Sequence, residues 1–382
     1  MLARSRALGA YAALAAGIAG CTAAGSSAPT LHGKTLTIYL SAPGSLASDP
    51  QAQDVVNAEK LAFQQLQGQV TAYKLSLRVL THDKISDNAR QAIGDTGHAI
   101  AYVGEVPPGD SADSIGITNA QDLLQVSPTD TAAALTEKTP AVAKSPTKYY
   151  ESLGTYGRTF ARVVPTTKVE AGVLVNDMKL HGVTKGYVTD DGSEYGRTVA
   201  SEIRNGAVGA VTPASSTTAA DAVFYGGSNQ SDAARTFNQA AAANPKVKLF
   251  APSALDADAF VASLSPAARR NLTVSAPGLL PKELASTAGT FLADFRSAYG
   301  HVPTAQAIFG YEAMSALLAV LREAGSSANN RTTVLHDFFG INNRSSPLGT
   351  YSIDQNGDTS LGPSAFVIQR VKGPRLVPIQ VG

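Results

Sequence analysis

The chain of 382 residues has no tryptophan and one cysteine, and only 16% of its residues are charged. One cysteine can form no internal disulfide and cannot supply the thiolates of a structural zinc site. Lysine and arginine number 31 against 30 acidic residues, so there is no basic excess for a nucleic-acid partner. Hydrophobic residues make up 44% of the chain, which is typical of a folded globular protein, and its length predicts roughly two domains.

Motifs that carry enzyme chemistry are missing as well. The chain contains no HExxH, no GxxxxGK[ST] and no GxSxG sequence, and its 6 histidines are scattered. We therefore predict a protein that is not an enzyme and has no catalytic residues, no metal ligands and no cofactor. An unrecognised hydrolase is the remaining enzymatic alternative.

The N-terminal residues 1–20 have the pattern of a secretory signal peptide. Arg4 and Arg6 precede an apolar run of small residues that ends at Gly20. This run is too short and too rich in alanine and glycine for a transmembrane span, which needs about 20 strongly apolar residues. We predict that residues 1–20 are cleaved off.

The single cysteine, Cys21, directly follows this run. The sequence IAGC at 18–21 resembles the bacterial lipobox, whose cysteine receives a lipid and becomes the new N-terminus. This resemblance implies an extracytoplasmic protein that is lipid-anchored through Cys21 to a bacterial membrane, in the periplasm or at the cell surface. Residues 21–34 are small and polar and are predicted to form a flexible tether. The alternative is a plain signal peptide with an incidental cysteine.

Beyond the tether, β-rich and helical segments alternate. Repeated βα units predict a mostly parallel sheet with helices on both faces, and two separate series of them favour two α/β lobes over one closed barrel. The predicted strands are 35–40, 75–80, 99–106, 123–126, 186–189, 221–227, 247–251 and 272–276. The predicted helices are 51–67, 195–205, two that start at 232 and near 256, 283–299 and 306–324, followed by a hairpin of 364–371 and 375–381.

Several short motifs occur in an order that is similar to one family. They are YVG at 102–104, VSPTDT at 126–131 with LT at 135–136, RVVP at 162–165, DDGSEYG at 190–196, FYGG at 224–227, GYEA at 310–313 with AG at 324–325, and GTYSID at 349–354 with NGD at 356–358. Each motif alone is weak, but their order along the chain is specific. On these residues the chain resembles the type I periplasmic substrate-binding proteins of the branched-chain amino-acid (Leu/Ile/Val) kind, which are the receptors of ABC importers.

The resemblance implies an α/β fold of two doubly wound, Rossmann-like lobes joined by three crossovers. Lobe 1 would comprise 35–164 plus 282–345, and lobe 2 would comprise 165–281 plus 346–382. A small-molecule ligand would lie between the lobes, at the carboxyl ends of the strands, and its binding would close the hinge. The implied partner is an ABC permease in the membrane, and we expect a monomer.

In this family, hydroxyl side chains and backbone N–H groups of two loops of lobe 1 hold the ligand carboxylate. Gly109 and Ser111 lie on the first loop, and Thr129 and Thr131 lie on the second. The alternative for the two threonines is that they only satisfy backbone groups of their turn. Ser41, after the first strand, is a weaker candidate at the mouth of the cleft.

Three candidate ligand contacts come from lobe 2. The resemblance places Tyr195 in the cleft wall, where its ring could stack on a ligand; the alternative is a lobe-surface tyrosine at a helix start. Ser228 follows the turn where the family often carries an aromatic contact, so its small side chain would enlarge the pocket. Ser253 lies just past the strand after which the family carries an acidic residue for the ligand ammonium.

The chain differs from the family pattern on both sides of the cleft. Two prolines at 107–108 remove two backbone donors from the first loop. Neither 165–168 nor 252–254 contains a carboxylate, and Asp256 has the position of a helix N-cap. A buried ammonium without a counter-charge is costly. We therefore predict a small polar or carboxylate-bearing ligand, which could be aromatic, rather than a standard branched-chain amino acid.

A second function stays open from the sequence, namely a bilobed envelope lipoprotein that regulates or scaffolds a protein partner. A filled or flat cleft would favour it. The segment 138–159, with Tyr149, Tyr150 and Tyr156, is longer than the family usually has there. We predict that this segment is a surface insertion of lobe 1; the alternative is that it flanks the cleft.

Overall fold

The structure is a computed structural model and describes residues 30–151 and 157–382. The expected signal peptide, Cys21, most of the expected tether and Tyr156 lie outside these ranges.

The strands are β1 Thr35–Ser41, β2 Lys74–Leu80, β3 Ala99–Val103, β4 Leu124–Ser127, β5 Phe160–Arg162, β6 Lys185–Asp190, β7 Thr212–Pro213, β8 Ala222–Gly226, β9 Lys248–Ala251, β10 Leu272–Pro277, β11 Arg344–Ser346, β12 Gly349–Tyr351, β13 Phe366–Lys372 and β14 Arg375–Val381. The helices are α1 Pro50–Leu66, α2 Ile85–Gly94, α3 Ile115–Asn119, α4 Thr167–Leu180, α5 Glu194–Ala207, α6 Gln230–Ala243, α7 Asp258–Ser263, α8 Pro266–Asn271, α9 Pro281–Thr287, α10 Gly289–Tyr299, α11 Ala307–Ala324 and α12 Arg331–Phe339.

Two sheets organise the molecule. The first has the order β2-β1-β3-β4-β5 and is parallel throughout. The second has the order β14-β13-β10-β9-β8-β6-β7, and its strands β6 to β10 are parallel while β13 and β14 run antiparallel. The chain leaves the first sheet after β5, returns to the first lobe after β10 and crosses again before β13. The predicted α/β fold with two lobes and three crossovers is confirmed.

The pairing of α1 with α11 explains how the first lobe closes over its sheet. Asp49 caps α1, because its carboxylate accepts the main-chain N–H groups of Gln51 and Ala52, and Pro50 occupies the first helical turn. Gly310 of α11 lies against α1, and a Cβ atom there would overlap the carbonyl of Val55. Glycine therefore permits the close approach of the two helices.

Two sequence-based expectations differ from the fold in detail. The helix predicted over 283–299 is two helices, α9 and α10, because Ala288 has backbone angles that are neither helical nor extended (φ −139°, ψ 37°). The last part of the predicted tether is packed on the body. Leu31 is buried, and its N–H donates to the carbonyl of Asn329 over 2.8 Å. The chain from Leu31 onward is therefore part of the body rather than of a free tether.

Among the described residues, we find no helix with the length and apolar character that crossing a membrane requires.

Candidate functional site between the lobes

The carboxyl ends of the parallel strands of both sheets are the natural place for a ligand in this fold. In lobe 1 the relevant loops are those that follow β3 and β4. In lobe 2 they are the start of α5, which follows β6, and the turn that follows β9. We call the first set the lobe-1 wall and the second set, with the first turn of α4, the lobe-2 wall.

The centre of the lobe-1 wall is the fully buried carboxylate of Asp130. Its Oδ1 accepts the main-chain N–H of Gly109 at 2.7 Å and that of Ala132 at 3.0 Å, and its Oδ2 accepts the N–H of Ser111 at 2.9 Å. We call these N–H groups the lobe-1 nest. Gly109 has φ +94°, which favours glycine, and this conformation turns its N–H toward the carboxylate. Groups that the resemblance assigned to a ligand thus bind a side chain of the protein.

The hydroxyl candidates of lobe 1 also make internal hydrogen bonds. Thr129 Oγ1 donates to the carbonyl of Val106 over 2.6 Å, and Ser41 Oγ donates to Glu105 Oε2 over 2.6 Å. Ser111 Oγ accepts the N–H of Glu105 at 3.3 Å. All of these hydroxyls are buried. Thr129 therefore satisfies a backbone carbonyl, as the alternative for this residue stated. A contact of Thr129 with a ligand stays a prediction.

Glu105 shows how strongly burial affects acids in this wall. The residue is fully buried, and besides Ser41 it accepts a hydrogen bond from the Tyr102 hydroxyl over 2.7 Å. Burial raises the pKa of Glu105 to about 7, although both hydroxyl donors act against the rise. Half-buried Asp110 lies nearby, and burial with the charges of Asp130 and Glu105 raises the pKa of Asp110 to about 8.

A buried arginine holds the lobe-1 wall from behind. Arg162, at the end of β5, is fully buried and donates from Nε to Asp358 Oδ1 over 2.7 Å. Its Nη1 donates to the carbonyls of Asp130 and Ala132, each over 2.9 Å, and its Nη2 donates to the Thr136 hydroxyl. The guanidinium therefore fixes the main chain on both sides of Thr131.

The lobe-2 wall contains a carboxylate that the sequence reasoning missed. Glu170, in the first turn of α4, is fully buried, and its Oε1 accepts the N–H of Ser253 at 2.6 Å and the hydroxyl of Ser275 at 2.7 Å. Its Oε2 lies 3.4 Å from Thr131 Oγ1 of the other lobe. Burial raises the pKa of Glu170. A signal for it existed, because Glu170 falls on the buried stripe of α4 with Thr167, Ala171 and Leu174.

Tyr195 connects the two walls. Its side chain is 5% exposed, and a Cβ atom at Gly109 would lie 3.0 Å from Tyr195 Cβ, so the tyrosine packs directly on the lobe-1 loop. Its hydroxyl lies near Thr131 and Ser253, and burial raises the pKa of Tyr195, with the charge of Glu170 adding to the rise. Within the described residues, neither the Tyr195 hydroxyl nor Ser253 Oγ forms a hydrogen bond of regular geometry, although the two lie near each other and Ser253 lies near Glu170.

The structure therefore brings most of the predicted site residues together. Gly109 and Ser111 meet around Asp130, and Thr131, Tyr195 and Ser253 meet around Glu170. Ser228 stands apart from both groups: it is exposed, and its N–H donates to Asp191 Oδ2 over 2.9 Å.

Contacts at the edges of the gap join the two lobes. Glu194, which precedes Tyr195, accepts the Tyr149 hydroxyl at 2.8 Å and pairs with the ammonium of Lys148. The described part of the segment 138–159 thus reaches lobe 2 beside the gap through Lys148 and Tyr149, which was the alternative to a plain surface insertion. Tyr150, by contrast, donates to the carbonyl of Leu135 within lobe 1.

The expectation that Asp256 caps a helix is wrong. The N-cap of α7 is Ala257, and the buried Asp256 carboxylate instead accepts the side-chain amides of Gln51 and Gln306, each over 2.7 Å. Both glutamines belong to elements of lobe 1 that are remote in sequence, so a local pattern could not reveal the contact. Burial raises the pKa of Asp256 to about 7.

Two large cavities lie away from this gap. One, of about 730 Å³, is lined largely by apolar residues of α4, α5, β6 and β8, among them Met178, Ile203 and Phe224. The other, of about 890 Å³, lies near the crossovers and is lined by Arg158, Lys168 and Asp358 among others. In the part of the chain that the structure describes, we find no group of three or more His, Cys, Asp or Glu arranged to hold a metal ion.

Comparison with known proteins identifies the fold. No protein-family model and no curated protein sequence matches the chain. The leucine-binding protein LivK of Thermotoga maritima has 18% identity and a TM-score of 0.71, with 91% of this chain and 98% of that chain covered. LivJ of Streptococcus pneumoniae in complex with isoleucine has 16% identity and a TM-score of 0.71, with 91% and 99% covered. A solute-binding protein of an ABC transporter from R. palustris in complex with benzoate has 18% identity and a TM-score of 0.64, with 92% and 96% covered. The chain has the bilobed fold of the type I periplasmic substrate-binding proteins.

Proposed function

We propose that the protein is an extracytoplasmic solute-binding protein of an ABC transporter that closes its two lobes around a small polar ligand. The observation that carries the proposal is the pair of buried hydroxyls, of Tyr195 and Ser253, that lie beside each other and Glu170 but form no hydrogen bond of regular geometry. An unsatisfied buried polar group costs about 1–3 kcal/mol. A ligand that bonds these hydroxyls would recover that free energy, and it would lie next to Thr131 of lobe 1, whose hydroxyl is near Tyr195 and Glu170.

Closure is coupled to binding in this proposal. The hydrogen bonds of Asp256 to Gln51 and Gln306, and those of Glu194 to Lys148 and Tyr149, join residues of different lobes. Such contacts form only while the lobes are together. A ligand that contacts both walls therefore shifts the population toward the closed state.

The cellular setting follows from the N-terminal sequence. We propose that residues 1–20 are a signal peptide, that Cys21 carries the lipid, and that the chain up to about residue 30 is the tether. The lobe boundaries given above, a monomeric state and delivery of the ligand to an ABC permease belong to the same proposal. The similar solved structures that come from ABC transporters support the permease as partner.

The exclusion of a zwitterionic amino acid needs a different reason from the one the sequence offered. The sequence argument relied on a missing carboxylate in lobe 2, and Glu170 provides a carboxylate there. The remaining reason lies in lobe 1, where Asp130 already occupies the main-chain donors.

The proposal is tested by native mass spectrometry of the protein purified from its own host. We expect a co-purified small molecule that raises the melting temperature of the stripped protein. Tyr195→Phe and Ser253→Ala should each weaken this response at least tenfold in apparent Kd. Tyr311→Phe is the matched control, because its hydroxyl bonds Gln65 on the surface of lobe 1, away from the gap; it should keep the full response.

A second candidate function is the envelope lipoprotein that regulates or scaffolds a protein partner. The observation that favours it is the close packing of the walls, with Tyr195 against Gly109 and the lobe-1 nest filled by Asp130. This second function is favoured if the protein from its own host carries no small molecule and if Tyr195→Phe leaves the function of the protein in the host unchanged.

A further inference from the structure

The lobe-1 nest is an anion-binding site in its geometry. Main-chain N–H groups from two loops, one after β3 and one after β4, converge on one carboxylate at 2.7 to 3.0 Å. Neutral donors of this kind bind any carboxylate that reaches them, and hydrogen bonds to a charged acceptor are stronger than those between neutral groups. The carboxylate that fills the nest is the side chain of Asp130, which belongs to the second of these loops.

A tethered occupant has a large advantage over a free one. Asp130 is placed by its own backbone, whose carbonyl is held by Arg162 over 2.9 Å. A free carboxylate would have to displace a group that is already oriented, and well-oriented intramolecular groups reach effective concentrations far above those of any solute. The displaced Asp130 carboxylate would also be left buried without its donors, which is costly.

The acidic groups that surround the nest offer no positive charge to an incoming anion. Asp110 and Glu105 lie close enough to Asp130 to affect each other's ionisation. Across the gap lies Glu170. The nearby cations are engaged elsewhere: Arg162 is bonded to Asp358 behind the wall, and Lys148 is paired with Glu194 at the rim. The Asp110 carboxyl group has no hydrogen-bond or ion-pair partner among the described residues, so its oxygens can accept N–H donors.

On these contacts, and resting on the proposed function, we infer that Asp130 determines ligand specificity: its carboxylate permanently fills the lobe-1 nest, so the ligand of this gap carries no carboxylate and presents N–H donors, such as those of an amine or amide. The two unpartnered hydroxyls of the lobe-2 wall and the Glu170 carboxylate can accept from such a ligand.

Removal of the tethered carboxylate tests this inference without knowledge of the ligand. Asp130→Gly deletes a fragment of the size of acetate, and Asp130→Ala deletes one of the size of formate. Both variants should melt lower than the wild type. We expect acetate to raise the melting temperature of the glycine variant, with half-saturation in the millimolar range, and formate to be more effective than acetate on the alanine variant. The wild type should not respond.

Chloride at equal ionic strength and the bulkier pivalate are the anion controls and should have little effect. Asp54→Ala is the protein control. Asp54 is similarly buried, but it accepts one main-chain N–H, from Thr304 at 2.9 Å, and otherwise bonds His301. Formate should therefore raise the melting temperature of Asp54→Ala less than it raises that of Asp130→Ala. If a variant folds only in the presence of its matching carboxylate, the soluble yield replaces the melting temperature as the readout.

The inference is overturned if neither variant responds to its matching carboxylate, or if the wild type binds L-leucine or benzoate by calorimetry and Tyr195→Phe abolishes that binding. The second result would leave the proposed function intact. Carboxylates could also rescue both variants while the wild-type protein carries no co-purified small molecule from its host. That result would confirm that the Asp130 carboxylate fills the lobe-1 nest, but it would overturn the inference that Asp130 determines ligand specificity.

Discussion

The two walls of the gap differ in whether their buried polar groups are hydrogen-bonded. In the lobe-1 wall, the main-chain donors and the hydroxyls of Ser41, Ser111 and Thr129 all have partners within the lobe. In the lobe-2 wall, two buried hydroxyls have none. Since nearly all buried polar groups in folded proteins are hydrogen-bonded, the lobe-1 wall is complete by itself, and under the proposed function the lobe-2 wall is the side that a solute would complete.

The largest expected effect comes from loosening the complete wall. Arg162→Ala removes a fully buried cation from Asp358 and from two main-chain carbonyls. Breaking one side of a buried ion pair costs about 3–5 kcal/mol, so we expect a loss of that size in the free energy of unfolding, measured with urea. Arg322→Ala, an exposed arginine, should change it by less than about 0.5 kcal/mol. Equal losses in the two variants would contradict a special role of Arg162.

The next effect concerns pH. Because burial raises the pKa of Glu105 from its ordinary 4.5 to about 7, the folded state holds the proton more tightly than the unfolded state. The stabilisation by this group is complete below about pH 4.5 and is lost as the pH rises through about 7. Glu105→Gln cannot ionise, so its stability relative to the wild type should rise by up to about 3 kcal/mol between pH 4.5 and 8.5.

Urea unfolding at several pH values measures this change. Glu323→Gln is the control, since the side chain of Glu323 is 73% exposed. Asp110 and Asp256 also have raised pKa values, so some slope should remain in Glu105→Gln. An unchanged slope in that variant would show that the Glu105 carboxylate does not titrate in this range.

The smallest effect gives the sharpest contrast between the walls. Ser111→Ala leaves the buried N–H of Glu105 without its acceptor, which should cost about 1–3 kcal/mol. Ser253→Ala removes a hydroxyl that has no partner, while the N–H of Ser253 keeps its bond to Glu170. We expect the latter variant, free of ligand, to be as stable as the wild type or more stable by up to about 1 kcal/mol. Thermal melts of Ser111→Ala and Ser253→Ala, measured side by side, give the loss of stability in each variant. Equal losses would contradict the difference between the two walls.

The fold could be predicted because its signals are local and repeated. Alternating βα segments and the stripe of α11 depend on spacings within a few residues, and the motifs of the family fall at their turns. The break at Ala288 was missed because apolar residues continue through it, with Leu284 and Phe291 both buried.

The candidate site was predicted in place but not in chemistry. Thr131, Tyr195 and Ser253 meet as their motif positions suggested. Asp130 was passed over as the residue between two threonines, because a sequence does not show that its side chain turns back to the N–H groups of Gly109 and Ser111. Glu170 lies two residues beyond the stretch 165–168 where the family pattern places an acid, so the pattern did not reveal it.

The contact of the 138–159 segment with α5 has a consequence for the time that a solute stays bound. Glu194 adjoins Tyr195 in the chain, so under the proposed function a molecule held against that ring would be released more readily once Glu194 separates from Lys148 and Tyr149. The ion pair is partly exposed, with side-chain exposures of 29% and 41%, and dissolved salt weakens such pairs. Raising the ionic strength in a stopped-flow experiment should therefore speed dissociation more than it slows association.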